Sequence, residues 1–220
     1  MTRIVLASSS PRRRELLSRI GVRFTVVTPQ GEEITPPAGM CCDLAVQLVA
    51  RHKALSVART QTLGTFVLAA DTVVVGPSGL LGQPGTPERA RRMLDELKGT
   101  RHTVLTGICA IAAPNGAEAL GVSRSAVRMR PIDDADLDAY VASGEPLDKA
   151  GGYAIQGGAG DWIEAVGGRV DTVVGLDVAL ALRLLAEVGY PMPLPSAADV
   201  PLQPRPVRRP LSPLRTPSRV

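Results

Sequence analysis

The sequence predicts an α/β fold built on a mixed β-sheet, and three observations predict it. Stretches with helical and strand periodicity alternate through the first hundred residues. FVLAA, residues 66–70, is an unbroken apolar run of the kind that forms a strand buried on both faces. Asn115-Gly116 stands between two long strand-like stretches, and this dipeptide favours the tight turn of an antiparallel hairpin. Alternation with hairpins mixed in points to a sheet that is parallel in part only.

Element by element, RIVLA (3–7) reads as a short buried strand, followed by the serines Ser8, Ser9 and Ser10. A helix is expected from residue 11 to 20, with Leu16, Leu17 and Ile20 on one face and Gly21 closing it. Residues 24–27 form a second strand. After a Gly/Pro-rich loop, a helix over 42–59 carries Leu44, Leu48, Ala54, Leu55 and Ala58 at near-helical spacing. FVLAA runs into Asp71 and then into a strand over 73–75, and GPSG (76–79) reads as a turn. Pro87 opens a helix that ends before Gly99. Residues 103–113 and 118–129 form the hairpin, and 133–142 a short helix with acids in its first turn. Beyond a glycine-rich segment (151–160), stretches 162–166 and 169–173 suggest a second hairpin around Gly167-Gly168, and 176–188 a last amphipathic helix.

Composition narrows the function classes. The chain has 220 residues, 45% of them hydrophobic, enough for a core; residues 1–190 are expected to form one domain. Aromatics make up only 3%, too few for a stacking platform that binds single-stranded nucleic acid. Three cysteines, Cys41, Cys42 and Cys109, give neither a disulfide framework nor zinc-ligand spacing. The short apolar run at the start does not read as a signal peptide, and no stretch is long enough for a bilayer span, so a cytoplasmic protein without membrane partners is expected. The net charge of +4 is carried by the last thirty residues, which hold five arginines against Asp199. Those residues, 191–220, also contain 9 of the 19 prolines and are expected to be a disordered Pro/Arg-rich tail. With the net charge confined there, the body is net zero, which argues against a nucleic-acid partner.

Several constellations carry chemistry. Ser10 suits an N-cap and Pro11 the first helical position, but Arg12, Arg13 and Arg14 put cations where the helix dipole opposes them. Such a start makes sense around an anion, with serine hydroxyls, backbone N–H groups and guanidiniums converging on a phosphate; the plainer alternative is a solvated basic face. Asp71-Thr72 ends a buried strand, where a carboxylate is either a hydrogen-bonded structural group or a catalytic one. Glu32-Glu33 sit on a loop, either as solvated acids or with one carboxylate joining Asp71 on a divalent cation. Lys53, read alone, is a solvated helix lysine. In 148–158, DKAGGYAIQGG, glycines permit close approach to a ligand, Lys149 offers charge and Gln156 an amide able to read a base edge. His52 and His102 lie in separate elements and read as ordinary histidines; Cys109 and Trp162 read as core. No Walker-A or GxGxxG pattern occurs. The residues thus suggest a metal-assisted enzyme acting on a phosphate-bearing ligand.

Taken together, LASSSPRRRELL, the spaced EE and HKA, AADTVVV, LDKAGGYAIQGGAG and VVGL resemble the Maf nucleotide pyrophosphatases, in order, from about residue 2 to 189. The resemblance implies an elongated mixed sheet flanked by helices around a central cleft, similar to the inosine-triphosphate pyrophosphatases. It also implies hydrolysis of nucleoside triphosphates to monophosphate and pyrophosphate with Mg²⁺ or Mn²⁺. By the same resemblance Asp71 is the proton acceptor, Glu33 the acid linked to metal and catalysis, and Lys53 the lysine facing the phosphates. Ser8 or Ser10 with Arg13 grips phosphate, and Lys149 is the DKAG lysine. Arg12, Thr72 and Gln156 resemble the branch acting on dTTP and UTP. A homodimer and a link to septum formation are family expectations, and a nucleotide-binding regulator with little catalysis is the alternative reading. Two positions depart from the family. Gln83 replaces the usual lysine of GKP, which removes a charge from the substrate-binding set, and Asp177 replaces the proline of VGLP, where it is expected to act as a first-turn acid.

Overall fold

The computed structural model describes residues 3–31 and 34–191. Glu33 and the Pro/Arg tail therefore lie outside the described residues. Seven strands form one sheet: β1 (Arg3–Ala7), β2 (Phe24–Val27), β3 (Thr65–Gly76), β4 (Gly79–Leu81), β5 (Arg101–Ala112), β6 (Glu118–Met129) and β7 (Ile163–Gly167). Their order is β2-β1-β3-β5-β6-β7, with β4 paired to β3. The β2-β1-β3 side is parallel and the β3-β5-β6-β7 side antiparallel, so the sheet is mixed as the sequence predicts. Helices α1 (Pro11–Arg19), α2 (Cys42–Ala58), α3 (Pro87–Leu97), α4 (Asp134–Ala142), α5 (Val170–Val174) and α6 (Val178–Glu187) flank it.

The FVLAA segment is buried on both faces. Phe66, Leu68 and Ala70 pack with Leu17 of α1 and Leu184 of α6, while Val67 and Ala69 pack with Ala50, Ala54 and Val57 of α2. A third cluster joins Val74 and Val104 to Leu94 and Leu97 of α3 and Leu137 of α4. Trp162 belongs to that cluster, its ring 4.9 Å from that of Tyr140 in an edge-to-face pair, and Cys109 is fully buried in the sheet. Both read correctly as core.

One feature of β3 positions the site. On the edge opposite β5, β1 pairs with β3 over Thr65 to Ala69 and β4 over Val74 to Gly76. Residues 70–73 between them have no strand partner on that edge. Asp71 and Thr72 lie in this interruption, where both faces of the strand are reachable from one opening.

The structure corrects four expectations. β3 is one strand through Asp71 and Thr72, not two pieces, and the turn at 76–79 returns as the short strand β4. The buried stripe of α2 is Ala45, Val46, Val49, Ala50, Ala54, Val57 and Ala58, whereas Leu44 is 59% exposed. Small residues win there because the helix lies so close to the sheet that a Cβ on Gly107 of β5 would meet the Val46 carbonyl oxygen at 2.5 Å. The second hairpin does not form: β7 is followed by α5 instead of a strand. Asp171 accepts hydrogen bonds from the N–H groups of Thr172 and Val178 and pairs with Arg169, which offsets the β propensity of VDTVV. Finally, α6 begins at Val178, because Asp177 is its N-cap and not a first-turn acid: its carboxylate accepts from the Leu180 N–H at 2.9 Å.

Candidate active site

A cleft of about 980 Å³ opens over the interrupted edge of β3. Its walls come from the start of α1, one face of α2, the loop after β4 and the glycine-rich segment. Ser10, Arg12, Arg13, Lys53, Asp71, Thr72, Gln83, Lys149 and Gln156 all line it, although they span nearly 150 positions of sequence.

Each wall is held by identifiable contacts. Ser10 caps α1 through its hydroxyl, which accepts from the Arg13 N–H. Arg13 is the most tightly specified cation: Nε donates to the Gly175 carbonyl at 2.8 Å, Nη2 to the Thr72 hydroxyl at 3.0 Å and Nη1 to the Ser8 hydroxyl at 3.5 Å. Gly175 has φ +125, a backbone conformation that favours glycine, and this conformation aims its carbonyl at Arg13. Ser8 does not line the cleft. It is 4% exposed, and its hydroxyl also accepts from the Ser10 N–H, so it shapes the loop from behind. Arg14 is exposed and absent from the lining, so two of the three arginines face the cleft.

Lys53 is not a solvated lysine. Its Nζ donates to Asp71 Oδ1 at 2.7 Å, with the two side chains 21% and 13% exposed. The helix stripe Val49, His52, Lys53 and Ser56 faces the cleft, so the 3–4 spacing of α2 was the signal that would have brought His52 into the site. On the far side Lys149 donates to Asp148 Oδ1 at 2.7 Å and to the Glu145 carbonyl, and Asp148 reaches Arg12 at 4.0 Å. Burial alone would raise the Asp148 carboxyl, but Lys149 and Arg12 outweigh it and hold it below the ordinary range. Gln156 is exposed at the lip.

The glycine-rich segment is anchored by Tyr153, whose hydroxyl meets His102 Nε2 at 2.7 Å in the core. Burial lowers the His102 pKa to about 4 and raises that of Tyr153, so at neutral pH the ring is uncharged. His102 thus has a partner that sequence reading missed, since 51 residues separate the two. Arg89, in the first turn of α3, also lines the cleft.

Among the described residues no three His, Cys, Asp or Glu side chains are grouped to hold a metal ion. Asp71 contributes a hard oxygen donor in the cleft beside positions suited to phosphate. One such carboxylate, also bonded to Lys53, would be a protein ligand for a hard divalent cation whose other ligands are water or ligand oxygens. No helix among the described residues is long and apolar enough to cross a membrane.

The chain is 47% identical over 194 residues to a dTTP/UTP pyrophosphatase of Anaeromyxobacter sp. (strain Fw109-5), covering 87% of this chain and 92% of that one. It is 43% identical to the dTTP/UTP pyrophosphatase of Moorella thermoacetica, over 86% of this chain and 96% of that one, and 44% identical to that of Myxococcus xanthus, over 87% and 95%. Among solved structures, a HAM1 protein from Coxiella burnetii aligns over 71% of this chain and 89% of its own, at 19% identity and a TM-score of 0.42. The model of the Maf-like protein family matches residues 3–188, nearly the whole described chain, and this protein is a member of that family.

Proposed function

We propose that the protein hydrolyses nucleoside triphosphates, dTTP and UTP foremost, to the monophosphate and pyrophosphate. The observation that carries this is the convergence of Arg13, Lys53 and Lys149 with Asp71 in one cleft, with Lys53 paired to Asp71 at 2.7 Å. The identities above 40% to dTTP/UTP pyrophosphatases support the substrate.

In this reading water attacks the α-phosphorus. An O–P bond forms, the bond from the α-phosphorus to the bridging oxygen breaks, and pyrophosphate leaves. Asp71 orients the water and takes its proton, and Lys53 balances the charge beside it. Arg13 and Lys149 offset charge that develops on the leaving group, so the chain's contribution is positioning and electrostatics. A divalent cation, with Asp71 and Glu33 as its protein ligands, would supply further neutralisation of phosphate charge. Gln156 suits a pyrimidine imide, which presents both a donor and acceptors to its amide. We take the enzyme to be cytoplasmic and homodimeric, the latter open to light scattering.

The test is incubation of the purified protein with dTTP, UTP, CTP and purine triphosphates plus Mg²⁺ or Mn²⁺, with pyrophosphate as the readout. Release of pyrophosphate from dTTP and UTP that stops in Asp71→Asn is the expected result. Tight binding without release would instead favour the regulator reading, for which the neutral Gln83 is the one supporting feature.

A further inference from the structure

Thr72 occupies a cleft position, but the structure gives its hydroxyl a different duty from touching substrate. Three side chains and a carbonyl form a line: Arg13 Nη2 to Thr72 Oγ1 at 3.0 Å, Thr72 Oγ1 to Thr106 Oγ1 at 2.9 Å, and Thr106 Oγ1 to the Thr172 carbonyl oxygen at 2.9 Å. The ends of this line fix every proton in it. A guanidinium only donates and a carbonyl only accepts. Thr106 has one proton, and it is spent on the Thr172 carbonyl. Its oxygen must therefore accept from Thr72, and the single proton of Thr72 points at Thr106, leaving the Thr72 oxygen as an acceptor for Arg13.

The chain continues beyond Thr172 in the same fixed sense. The Ser123 hydroxyl donates to Asp177 Oδ2 at 2.7 Å, so in the 2.7 Å contact between Ser123 and Thr172 the threonine donates. Asp177 is held in turn by Arg169 Nε at 3.1 Å. Thr106 and Thr172 are fully buried, so water does not compete for these bonds. The line runs from the cleft across one face of the sheet, over the paired residues Thr72, Thr106 and Ser123, to the charged cluster of Asp177 and Arg169.

We infer that Thr106, a residue outside the cleft, is a positioning residue that sets the hydroxyl of Thr72 as an acceptor and thereby locks the guanidinium of Arg13 on the phosphate side of the cleft. Thr72 acts on the ligand through Arg13, with no proton to offer a nucleotide base. The kinetic part of this inference rests on the triphosphate reading above; the structural part does not.

The experiment compares Thr106→Val, which keeps shape and removes both bonds, with Thr106→Ser, which keeps both. In the free full-length protein, ¹⁵N spectra of the Arg13 guanidinium are expected to show separate, slowly rotating Nη groups in the wild type and T106S, averaged to one broad signal in T106V. With dTTP, T106V is expected to lower kcat/KM about tenfold, mainly through KM, the size of one lost oriented hydrogen bond. T106S restores it. In an Arg13→Lys background the same change is expected to have almost no effect, because the group it positions is gone. Unchanged Arg13 signals in T106V would overturn the inference, as would a T106V defect that persists in the Arg13→Lys background. Should the wild type show no dTTP turnover, the function is wrong and the spectra alone decide the positioning role. If T106V does not fold, Thr72→Val removes the acceptor itself and is read the same way.

Discussion

The ammonium of Lys53 stands 2.7 Å from Oδ1 of Asp71, tying the middle of α2 to the middle of β3. The pair joins the helix wall of the cleft to its floor.

Replacing Asp71 with Asn keeps its shape and removes its ability to take a proton. Turnover of dTTP is expected to fall by about 10³-fold, the usual scale for a lost general base, while nucleotide affinity measured by calorimetry changes little. Lys53→Met leaves the Asp71 carboxylate partly buried without its ammonium, and is expected to lower unfolding free energy by about 2 kcal/mol in urea titrations. Wild-type turnover in Asp71→Asn would remove this residue from the mechanism.

Gln83 sits on the exposed lip of the cleft. Gln83→Lys adds a charge facing the site and is expected to lower KM for dTTP severalfold at low ionic strength. The gain should shrink as salt rises, since an exposed charge is screened over about 8 Å at physiological ionic strength. Kinetics at two salt concentrations check both halves.

His102 makes stability depend on pH in a defined window. Its folded pKa, about 4, lies below the ordinary 6.5 because burial disfavours the charged ring. Between those values the unfolded chain binds the proton first, so stability is complete above about pH 6.5 and falls as pH drops toward 4, by up to ~3 kcal/mol. Nδ1 has no partner among the described residues, so a proton added to the ring gains no hydrogen bond there. Melting temperatures from pH 7 to 4 are expected to fall more steeply for the wild type than for His102→Leu, whatever the absolute stability of the variant.

Asp177 caps α6, accepts from Ser123 and pairs with Arg169. Asp177→Ala removes the cap and leaves Arg169 with Asp171 alone. The expected cost is about 3 kcal/mol, combining a lost N-cap with a disrupted part-buried ion pair; equilibrium denaturation measures it.

Much of this architecture is legible in the chain, and the residues show why. FVLAA declares a strand covered on both faces because every residue is apolar, and Asn115-Gly116 marks where the hairpin turns back, although the connection is the longer loop 113–117 and neither residue takes the positive φ of the tight two-residue turn. Ser10-Pro11 marks the start of α1 by local chemistry alone. What the sequence conceals depends on distant partners. Nothing within α2 tells that Lys53 meets Asp71, nor that small residues rather than Leu44 face the sheet, because that depends on Gly107 in another strand. The segment after β7 looks like a strand until Arg169 gathers Asp171 and Asp177. His102 and Tyr153, or Thr72 and Thr106, meet only once the sheet has formed.

The interruption along β3 gives the sheet's alignment a consequence of its own. Asp71 turns toward α2 and Thr72 toward Arg13, so neighbouring residues furnish opposite walls. A slip of one residue between β3 and β5 would swap them, sending the acid to the arginine and the threonine to the lysine. The ten-pair ladder from Phe66–Ala112 to Val75–Thr103 therefore acts as a ruler, and the fidelity of strand alignment in folding is also the fidelity with which acid and cation reach their proper sides.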